Sequence, residues 1–132
     1  MYRILLAEDN PGDVLLLREA LSDSAINCDL RIAEDGQKAV HMLESIAADT
    51  TWRPDLIILD VNLPKRTGGE ILAHVRADPT FSEVPVLMLT SSASPADQAT
   101  ASRLGANLYV QKPSELDAFL DLGKVIHAIL TK

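Results

Sequence analysis

The chain has 132 residues, of which 47% are hydrophobic and 23% charged, so it is long enough for one domain and too apolar for intrinsic disorder. Its formal net charge is −7, and an acidic surface repels the phosphates of nucleic acids and of anionic lipids. We therefore expect neither nucleic acid nor a membrane surface as a partner. The single cysteine excludes an internal disulfide and a cysteine-based zinc site.

The aliphatic runs are short, and none approaches the ~20 residues that a membrane-spanning helix needs. A strand-like segment begins at Tyr2, with no basic region and no apolar region of a signal peptide ahead of it. We therefore expect the protein in the reducing cytoplasm.

Five apolar runs of strand length recur along the chain, and each is followed by a segment with helical spacing. The third and fourth runs are apolar at consecutive positions, which is typical of strands covered by helices on both faces. Strict alternation of strand and helix predicts a doubly wound, five-stranded parallel α/β sheet with right-handed crossovers. The predicted strands span residues 2–7, 29–33, 56–59, 86–89 and 108–110.

The segments between these runs predict five helices. Pro11 suits the first turn of the first helix, and Gly105 follows the fourth where a left-handed residue is expected. The stretch 49–54 has no periodicity and predicts a loop, in which Trp52 either covers apolar surface or contacts a partner. The predicted helices span residues 11–24, 36–47, 69–77, 95–104 and 114–130.

Polar side chains stand at the carboxyl ends of four predicted strands. In a doubly wound sheet these ends lie along one edge, where ligands bind. Three carboxylates, a hydroxyl and an amine should therefore converge, although they are far apart in the chain. They are Glu8 and Asp9 after the first strand, Asp60 after the third, Thr90 after the fourth and Lys112 after the fifth.

This set of groups suits phosphoryl transfer. One carboxyl group at a strand end often only caps the next helix, but three crowded carboxylates raise one another's pKa and need a cation. Mg²⁺ suits such an oxygen-only site. Lys112 supplies a fixed positive charge, and the Thr90 hydroxyl can hold a phosphoryl oxygen. A nucleophilic carboxylate, a metal, a cation and a hydroxyl together match phosphoryl transfer to a carboxylate.

Taken in order, these motifs resemble the receiver domain of two-component response regulators over all 132 residues. The resemblance implies a flavodoxin-like fold with strand order 2-1-3-4-5 and five helices. It also implies a single receiver domain over residues 1–132, with no output domain after the last helix. The matching motifs are Glu8-Asp9, Asp60, Leu63-Pro64, Gly68-Gly69, Leu89-Thr90-Ser91 and Tyr109-Val110-Gln111-Lys112-Pro113.

The resemblance implies that Asp60 accepts a phosphoryl group from the phosphohistidine of a sensor histidine kinase. Thr90 and Lys112 would then hold the phosphoryl oxygens. Such a protein catalyses only its own phosphorylation and dephosphorylation, so it is not expected to be an enzyme in the ordinary sense.

The resemblance also implies a Mg²⁺ site. Asp9, Asp60 and the backbone carbonyl of Asn62 would bind the ion, and Glu8 would act largely through coordinated water. Members of this family usually have a cis peptide bond at the position between Lys112 and Pro113, which would aim the lysine inward.

Three further positions match regulatory positions of the family. Tyr109 matches an aromatic switch whose ring turns inward as Thr90 closes on the phosphate, and the alternative, a strand residue packed against helix four, stays open. Asn62 and Ser92 match the variable positions that tune the lifetime of the aspartyl phosphate. Because a polar Asn62 can either orient or block the hydrolytic water, the lifetime stays open.

A closer resemblance is to small stand-alone regulators that are paired with phytochrome-type histidine kinases. It implies a phytochrome-type sensor kinase as the partner. It rests on Leu116, Phe119 and the segments 8–14, 19–21, 61–65, 77–79 and 89–92.

The last predicted helix has a wide apolar surface. Leu120 falls at one margin of its core-facing arc and Val125 on the far side. Scattered surface aliphatic residues are ordinary, whereas in resembling regulators the surface of helix four, strand five and helix five forms homodimers. We expect a homodimer through this surface. The core-facing arc comprises Leu116, Phe119, Leu122, Ile126, Ile129 and Leu130.

Other functions fit the sequence less well. An aspartyl-phosphate hydrolase needs a second acid two residues after the nucleophile, where this chain has Asn62. A flavodoxin-like FMN carrier needs a hydroxyl-rich loop after strand one, where Glu8 and Asp9 would repel the phosphate. A degenerate receiver that acts only as an interaction module stays open, and the complete set of acidic, Thr and Lys residues argues against it.

The histidines and the cysteine are not expected to take part in the chemistry. His41, His74 and His127 lie on predicted helices away from the strand ends, so we expect them at the surface or the rim. We expect Cys28 to be a half-buried, inert thiol.

Overall fold

The computed structural model describes residues 1–49, 51–91 and 94–132. Within these ranges, five strands form one parallel sheet in the order β2-β1-β3-β4-β5, which confirms the predicted doubly wound fold. β2 and β5 are its edges. The strands are β1 (Tyr2–Ala7), β2 (Cys28–Ala33), β3 (Leu56–Asp60), β4 (Val86–Thr90) and β5 (Leu108–Gln111).

Helices follow the strands as predicted, with two differences: a short 3₁₀ helix (Pro79–Phe81) precedes β4, and the last helix is interrupted. The predicted last helix is divided at Asp121, because the Lys124 N–H donates to the Asp121 carbonyl three residues back and interrupts the regular ladder. No helix among the described residues is long and apolar enough to cross a membrane. The helices are α1 (Pro11–Asp23), α2 (Gly36–Ala48), α3 (Gly68–Ala77), α4 (Pro95–Arg103), α5 (Leu116–Leu120) and α6 (Leu122–Leu130).

The apolar core has two layers, one on each side of the sheet. β3 and β4 are buried at every residue, which confirms that helices cover both of their faces. On one side the sheet packs against α2, α3 and Ala101 of α4, and on the other against α1, α5 and α6. α6 approaches α1 so closely that a Cβ at Gly123 would lie 2.3 Å from the Ala20 carbonyl oxygen.

One member of the predicted core-facing arc is placed differently. Leu116 is 58% exposed, so its prediction as a core residue is wrong. Leu116 is the first residue of α5, and the buried residue of this helix is Phe119. Phe119, Leu122 and Ile126 are buried as expected, whereas Ile129 and Leu130 are half-buried.

Local signals in the sequence place several helix ends. Asn10 caps α1 by accepting hydrogen bonds from two backbone N–H groups, and Pro11 follows in the first turn. Thr67 and Glu70 form a capping box at the start of α3. Gly105 has a φ of 102° just after α4, which confirms the expected left-handed residue.

Candidate functional site

Three carboxylates meet at the carboxyl edge of the sheet. Glu8 and Asp9 follow β1, and Asp60 ends β3. One oxygen of each lies within 4.8 Å of the others. Glu8 and Asp60 are buried, whereas Asp9 is exposed, so the cluster opens to solvent on one side.

The Lys112 ammonium lies at the centre of this cluster. Its Nζ is 2.7 Å from Glu8 Oε1, 2.9 Å from Asp13 Oδ2 and 3.3 Å from Asp60 Oδ2. Asp13, in the first turn of α1, is the member of the site that the sequence analysis did not identify. An acidic residue there is ordinarily explained by the helix dipole, and only the folded sheet brings it beside a lysine 99 residues later.

The peptide bond before Pro113 differs from the expectation. No cis peptide bond occurs among the described residues, so the expected cis bond between Lys112 and Pro113 is absent. The ammonium nevertheless reaches Glu8, Asp13 and Asp60, because the long lysine side chain spans the distance from the end of β5.

Burial and charge together set the protonation of this site. Burial, with Asp60 as its neighbour, raises the pKa of Glu8 to about 7, although Lys112 acts in the opposite direction. For Lys112, burial disfavours the charged ammonium, but hydrogen bonds to Glu8 and Asp13 outweigh it and raise the pKa. Lys112 therefore stays charged, and Glu8 titrates near neutral pH.

The charge balance suits a divalent cation. Three carboxylates, those of Glu8, Asp13 and Asp60, contact the Lys112 ammonium, and the Asp9 carboxylate lies beside those of Glu8 and Asp60. One ammonium leaves a surplus of negative charge, and the converging oxygen atoms are the donors that hard divalent ions prefer. The residues present therefore fit a metal of this class.

Asp60 is held in place by its backbone neighbours. The Asn62 N–H donates to Asp60 Oδ1 at 3.2 Å, and the Asn62 side chain is exposed beside it. The first residue of α3, Gly68, passes so close that a Cβ there would lie 2.4 Å from the Asp60 carbonyl oxygen. The start of α3 thus fixes the end of β3.

The ends of β4 and β5 are joined beside this cluster. Thr90 is 1% exposed, and its carbonyl accepts a hydrogen bond from the Lys112 N–H at 2.6 Å. The hydroxyl-bearing residue and the cation are thereby placed side by side. Ser92, the second expected tuning position, lies outside the described residues.

Tyr109 lies on β5 beside α4. Its ring packs against the core on the α2 and α3 side, and it shares a cavity of about 170 Å³ with Gln98 and Ser102 of α4. Its hydroxyl is buried and has no hydrogen-bond partner among the described residues. The Tyr109 side chain therefore lies beside α4 with its hydroxyl buried, and its role as a switch stays a prediction.

Val125, one of the two expected dimer residues, borders a groove between β5 and α6. Leu120 and Val125 are half-buried. Val125 lines a groove of about 710 Å³ with Leu108, Ala128 and Ile129. The predicted surface therefore includes an apolar concavity at the β5 edge.

Trp52 covers apolar surface. It is 7% exposed and belongs to the core beside α2. Its Nε1 donates to Asp29 Oδ2 at 2.8 Å, and the Arg31 guanidinium lies 4.3 Å from the ring centroid. Of the two roles that the sequence left open for Trp52, covering apolar surface or contacting a partner, the structure supports the first.

The remaining expectations concern residues away from the site. His41 and His127 are exposed, and His74 is half-buried on α3 with its Nε2 atom buried, so the three histidines lie at the surface or the rim as expected. Cys28 is half-buried, and burial raises the pKa of its thiol, which is consistent with an inert cysteine.

Comparison with known proteins identifies the family. Residues 4–123 match the response regulator receiver domain. The chain is 37% identical over 127 residues to the response regulator Rcp1 of Synechocystis sp., an alignment that covers 96% of this chain and 84% of that protein.

Solved structures agree with this match. The phosphorylated cyanobacterial phytochrome response regulator RcpA has a TM-score of 0.89 at 34% identity, over 99% of this chain and 94% of that one. The Mn²⁺-bound form of Rcp1 has a TM-score of 0.86 at 34% identity, over 97% and 93%. Because the family match spans most of the chain and the folds superpose throughout, this chain belongs to the response regulator receiver domain family.

Proposed function

We propose that the chain accepts a phosphoryl group on Asp60 from the phosphohistidine of a sensor histidine kinase, and that it signals through phosphorylation-dependent protein contacts. The observation that supports this most is the position of Asp60. It is buried at the end of β3, held by the Asn62 N–H and 3.3 Å from the Lys112 ammonium, beside the solvent-open Asp9.

Phosphoryl transfer to Asp60 exchanges one bond to phosphorus for another. An Asp60 carboxylate oxygen forms a bond to phosphorus while the bond between phosphorus and the imidazole nitrogen breaks, and the imidazole leaves with the electron pair. Lys112 then holds one phosphoryl oxygen, and the Thr90 hydroxyl donates to another. Both groups are positioned at the ends of adjacent strands.

We propose Mg²⁺ as the resident ion, held by Asp9, Asp60 and the Asn62 carbonyl, with Glu8 acting through water. A bound divalent ion neutralises the incoming phosphoryl oxygens. The surplus of carboxylates over ammonium groups supports this choice, as does the Mn²⁺-bound form of the similar protein Rcp1.

We propose a phytochrome-type histidine kinase as the phosphoryl donor, because the similar protein RcpA is a cyanobacterial phytochrome response regulator. We place both proteins in the cytoplasm. We propose no substrate other than the chain's own aspartate.

Self-association through α4, β5, α5 and α6 is supported by the apolar groove that Val125 lines.

The direct test is labelling by acetyl phosphate. We expect the wild type to gain one phosphoryl group in the presence of Mg²⁺ and none in the presence of EDTA, with recovery when Mg²⁺ or Mn²⁺ is restored. Asp60→Asn should stay unlabelled, whereas Asp117→Asn, an exposed carboxylate in α5, should be labelled like the wild type.

The same experiment distinguishes phosphoryl acceptance by Asp60 from the main alternative function. A degenerate receiver that acts only as an interaction module would show no labelling of the wild type under any condition. Equal labelling of Asp60→Asn and wild type would place the phosphoryl group elsewhere and contradict the assignment.

A further inference from the structure

β2 forms an edge of the sheet and pairs only with β1 in the described structure. The Tyr2 N–H donates to the Asn27 carbonyl, and the Glu8 N–H donates to the Ala33 carbonyl. Because the direction of backbone groups alternates along a strand, the odd-numbered residues between these points face β1. The N–H and C=O groups of residues 28, 30 and 32 therefore point away from the sheet.

The side chains of β2 are self-complementary in the antiparallel direction. Residues 28–32 read Cys-Asp-Leu-Arg-Ile. When a second copy runs antiparallel with Leu30 on the twofold axis, Asp29 of each copy lies opposite Arg31 of the other. Leu30 lies opposite Leu30, and Cys28 lies opposite Ile32. Two opposite-charge pairs and three apolar pairs result, with no like charges facing each other.

The backbone geometry is compatible with this register. Residues 28, 30 and 32 carry the outward N–H and C=O groups, so they form the hydrogen-bonded pairs across the twofold axis. Asp29 and Arg31 then occupy the non-hydrogen-bonded positions, where the opposing Cα atoms approach to about 4.5 Å and the side chains are closest.

Trp52 holds both charged groups beside this edge. Its indole N–H donates to Asp29 Oδ2 at 2.8 Å, and its ring lies 4.3 Å from the Arg31 guanidinium carbon. Asp29 keeps its second oxygen as an acceptor. Among the described residues the Arg31 side chain has the ring contact and no hydrogen bond to a carboxylate, so its N–H donors are available to a second copy.

Concave surfaces flank the edge on both faces of the sheet. One cavity, of about 350 Å³, is lined by Arg31, Met42 and Trp52. The other, of about 540 Å³, is lined by Ile32 and by Leu15 of α1, and Leu15 is 63% exposed. A second copy on β2 would cover apolar surface that the single chain leaves in water.

We infer that β2 is a self-association surface, on which two copies pair antiparallel about Leu30 and join their sheets into one. A charged residue on an edge strand ordinarily prevents pairing, but here Arg31 meets an aspartate and so favours it. The surface lies at the opposite edge of the sheet from β5. It therefore goes beyond the dimer proposed at α4, β5, α5 and α6.

The test is a charge exchange measured by sedimentation equilibrium, in a Leu120→Glu/Val125→Glu background that removes the β5-side surface. We expect this parent protein to dimerise. Asp29→Arg and Arg31→Asp should each weaken self-association about tenfold or more, because each places like charges opposite each other twice. Lys124→Asp, a charge reversal on the exposed face of α6, should leave it unchanged.

Mixing the two single variants distinguishes a lost contact between copies from a folding defect. Each single variant has lost its own contact with Trp52, yet an equimolar mixture of Asp29→Arg and Arg31→Asp should form heterodimers, since every charge then meets its opposite. The double variant Asp29→Arg/Arg31→Asp should associate like the parent. A monomeric parent at about 1 mM, or a mixture no more associated than its components, would overturn the inference.

Discussion

Glu8 lies almost fully buried at the end of β1, with its Oε1 atom 2.7 Å from the Lys112 ammonium. Burial and the nearby Asp60 raise its pKa from the ordinary value of 4.5 to about 7. A carboxyl group whose pKa is higher in the folded chain than in the unfolded chain stabilises the fold below the unfolded value. That contribution is lost as the pH rises through the folded value.

We therefore expect the metal-free protein to lose thermal stability between about pH 4.5 and pH 7. Glu8→Gln should flatten this decline, because its amide does not titrate. Melting curves in EDTA at several pH values measure the slopes. Mg²⁺ added at about pH 8 should raise the melting temperature of the wild type more than that of the variant. Identical slopes for the two proteins would contradict the shifted titration of Glu8.

Gly68 is the second residue on which the geometry of the site depends. Its Cα lies against the Asp60 backbone, where an added Cβ would be 2.4 Å from the carbonyl oxygen. Gly68→Ala should lower the free energy of unfolding by about 1–3 kcal/mol and slow the labelling of Asp60.

Gly69→Ala is the matched control, because a Cβ there meets nothing closer than 3.9 Å. Chemical denaturation should show that this variant is at least as stable as the wild type, with a gain of up to about 1 kcal/mol from helix propensity. Equal destabilisation by the two alanines would mean that the approach to Asp60 is unimportant.

At the scale of elements, α1 ends in a conformation that its sequence does not favour. The Ile26 N–H donates to the Leu21 carbonyl and the Ala25 N–H to the Ser22 carbonyl, which is a Schellman ending. Ala25 occupies the left-handed position with a φ of 56°, although glycine is the usual residue there. Because Ala25 is exposed, its methyl group contributes little packing in return.

Ala25→Gly should therefore raise the free energy of unfolding by about 1 kcal/mol. Ala99→Gly, at an exposed position inside α4, should lower it by a similar amount, about 1 kcal/mol, because glycine is a poor helix former. Opposite signs in chemical denaturation would support the argument, and destabilisation by both substitutions would refute it.

The strands and most helices were predictable from the sequence because their signals are local. The predicted β3 and β4 are one residue short, since the polar Asp60 and Thr90 end strands that the apolar pattern alone defines. The division at Asp121 was not predictable, because the apolar periodicity continues across it. Asp13 was missed because its link to Lys112 exists only in the folded sheet.

At the scale of the whole molecule, the two edges of the sheet carry different surfaces. The β5 edge has an apolar groove lined by Val125 and Leu108, and the β2 edge has the charged pair Asp29 and Arg31. A net charge of −7 opposes non-specific association, so contact between copies requires local complementarity.

We expect Leu120→Glu/Val125→Glu to reduce self-association at the β5 edge, because each glutamate adds a desolvated charge to an apolar contact. The sedimentation mass of the phosphorylated protein should fall relative to wild type. Leu116→Glu is the control, because it replaces an exposed leucine outside the groove with the same charged residue. This variant should sediment like wild type. An unchanged mass for the double variant would place the interface elsewhere.

We propose that Asp60 carries the phosphoryl group, and chemical trapping of the acyl phosphate tests this directly. Borohydride reduces an acyl phosphate to an alcohol, so an aspartyl phosphate becomes homoserine, which peptide mass spectrometry locates within the chain. After phosphorylation in Mg²⁺, either by acetyl phosphate or by a phytochrome-type kinase, we expect homoserine at position 60 and nowhere else. Homoserine at position 9 or 13, or its complete absence from a labelled protein, would contradict the account.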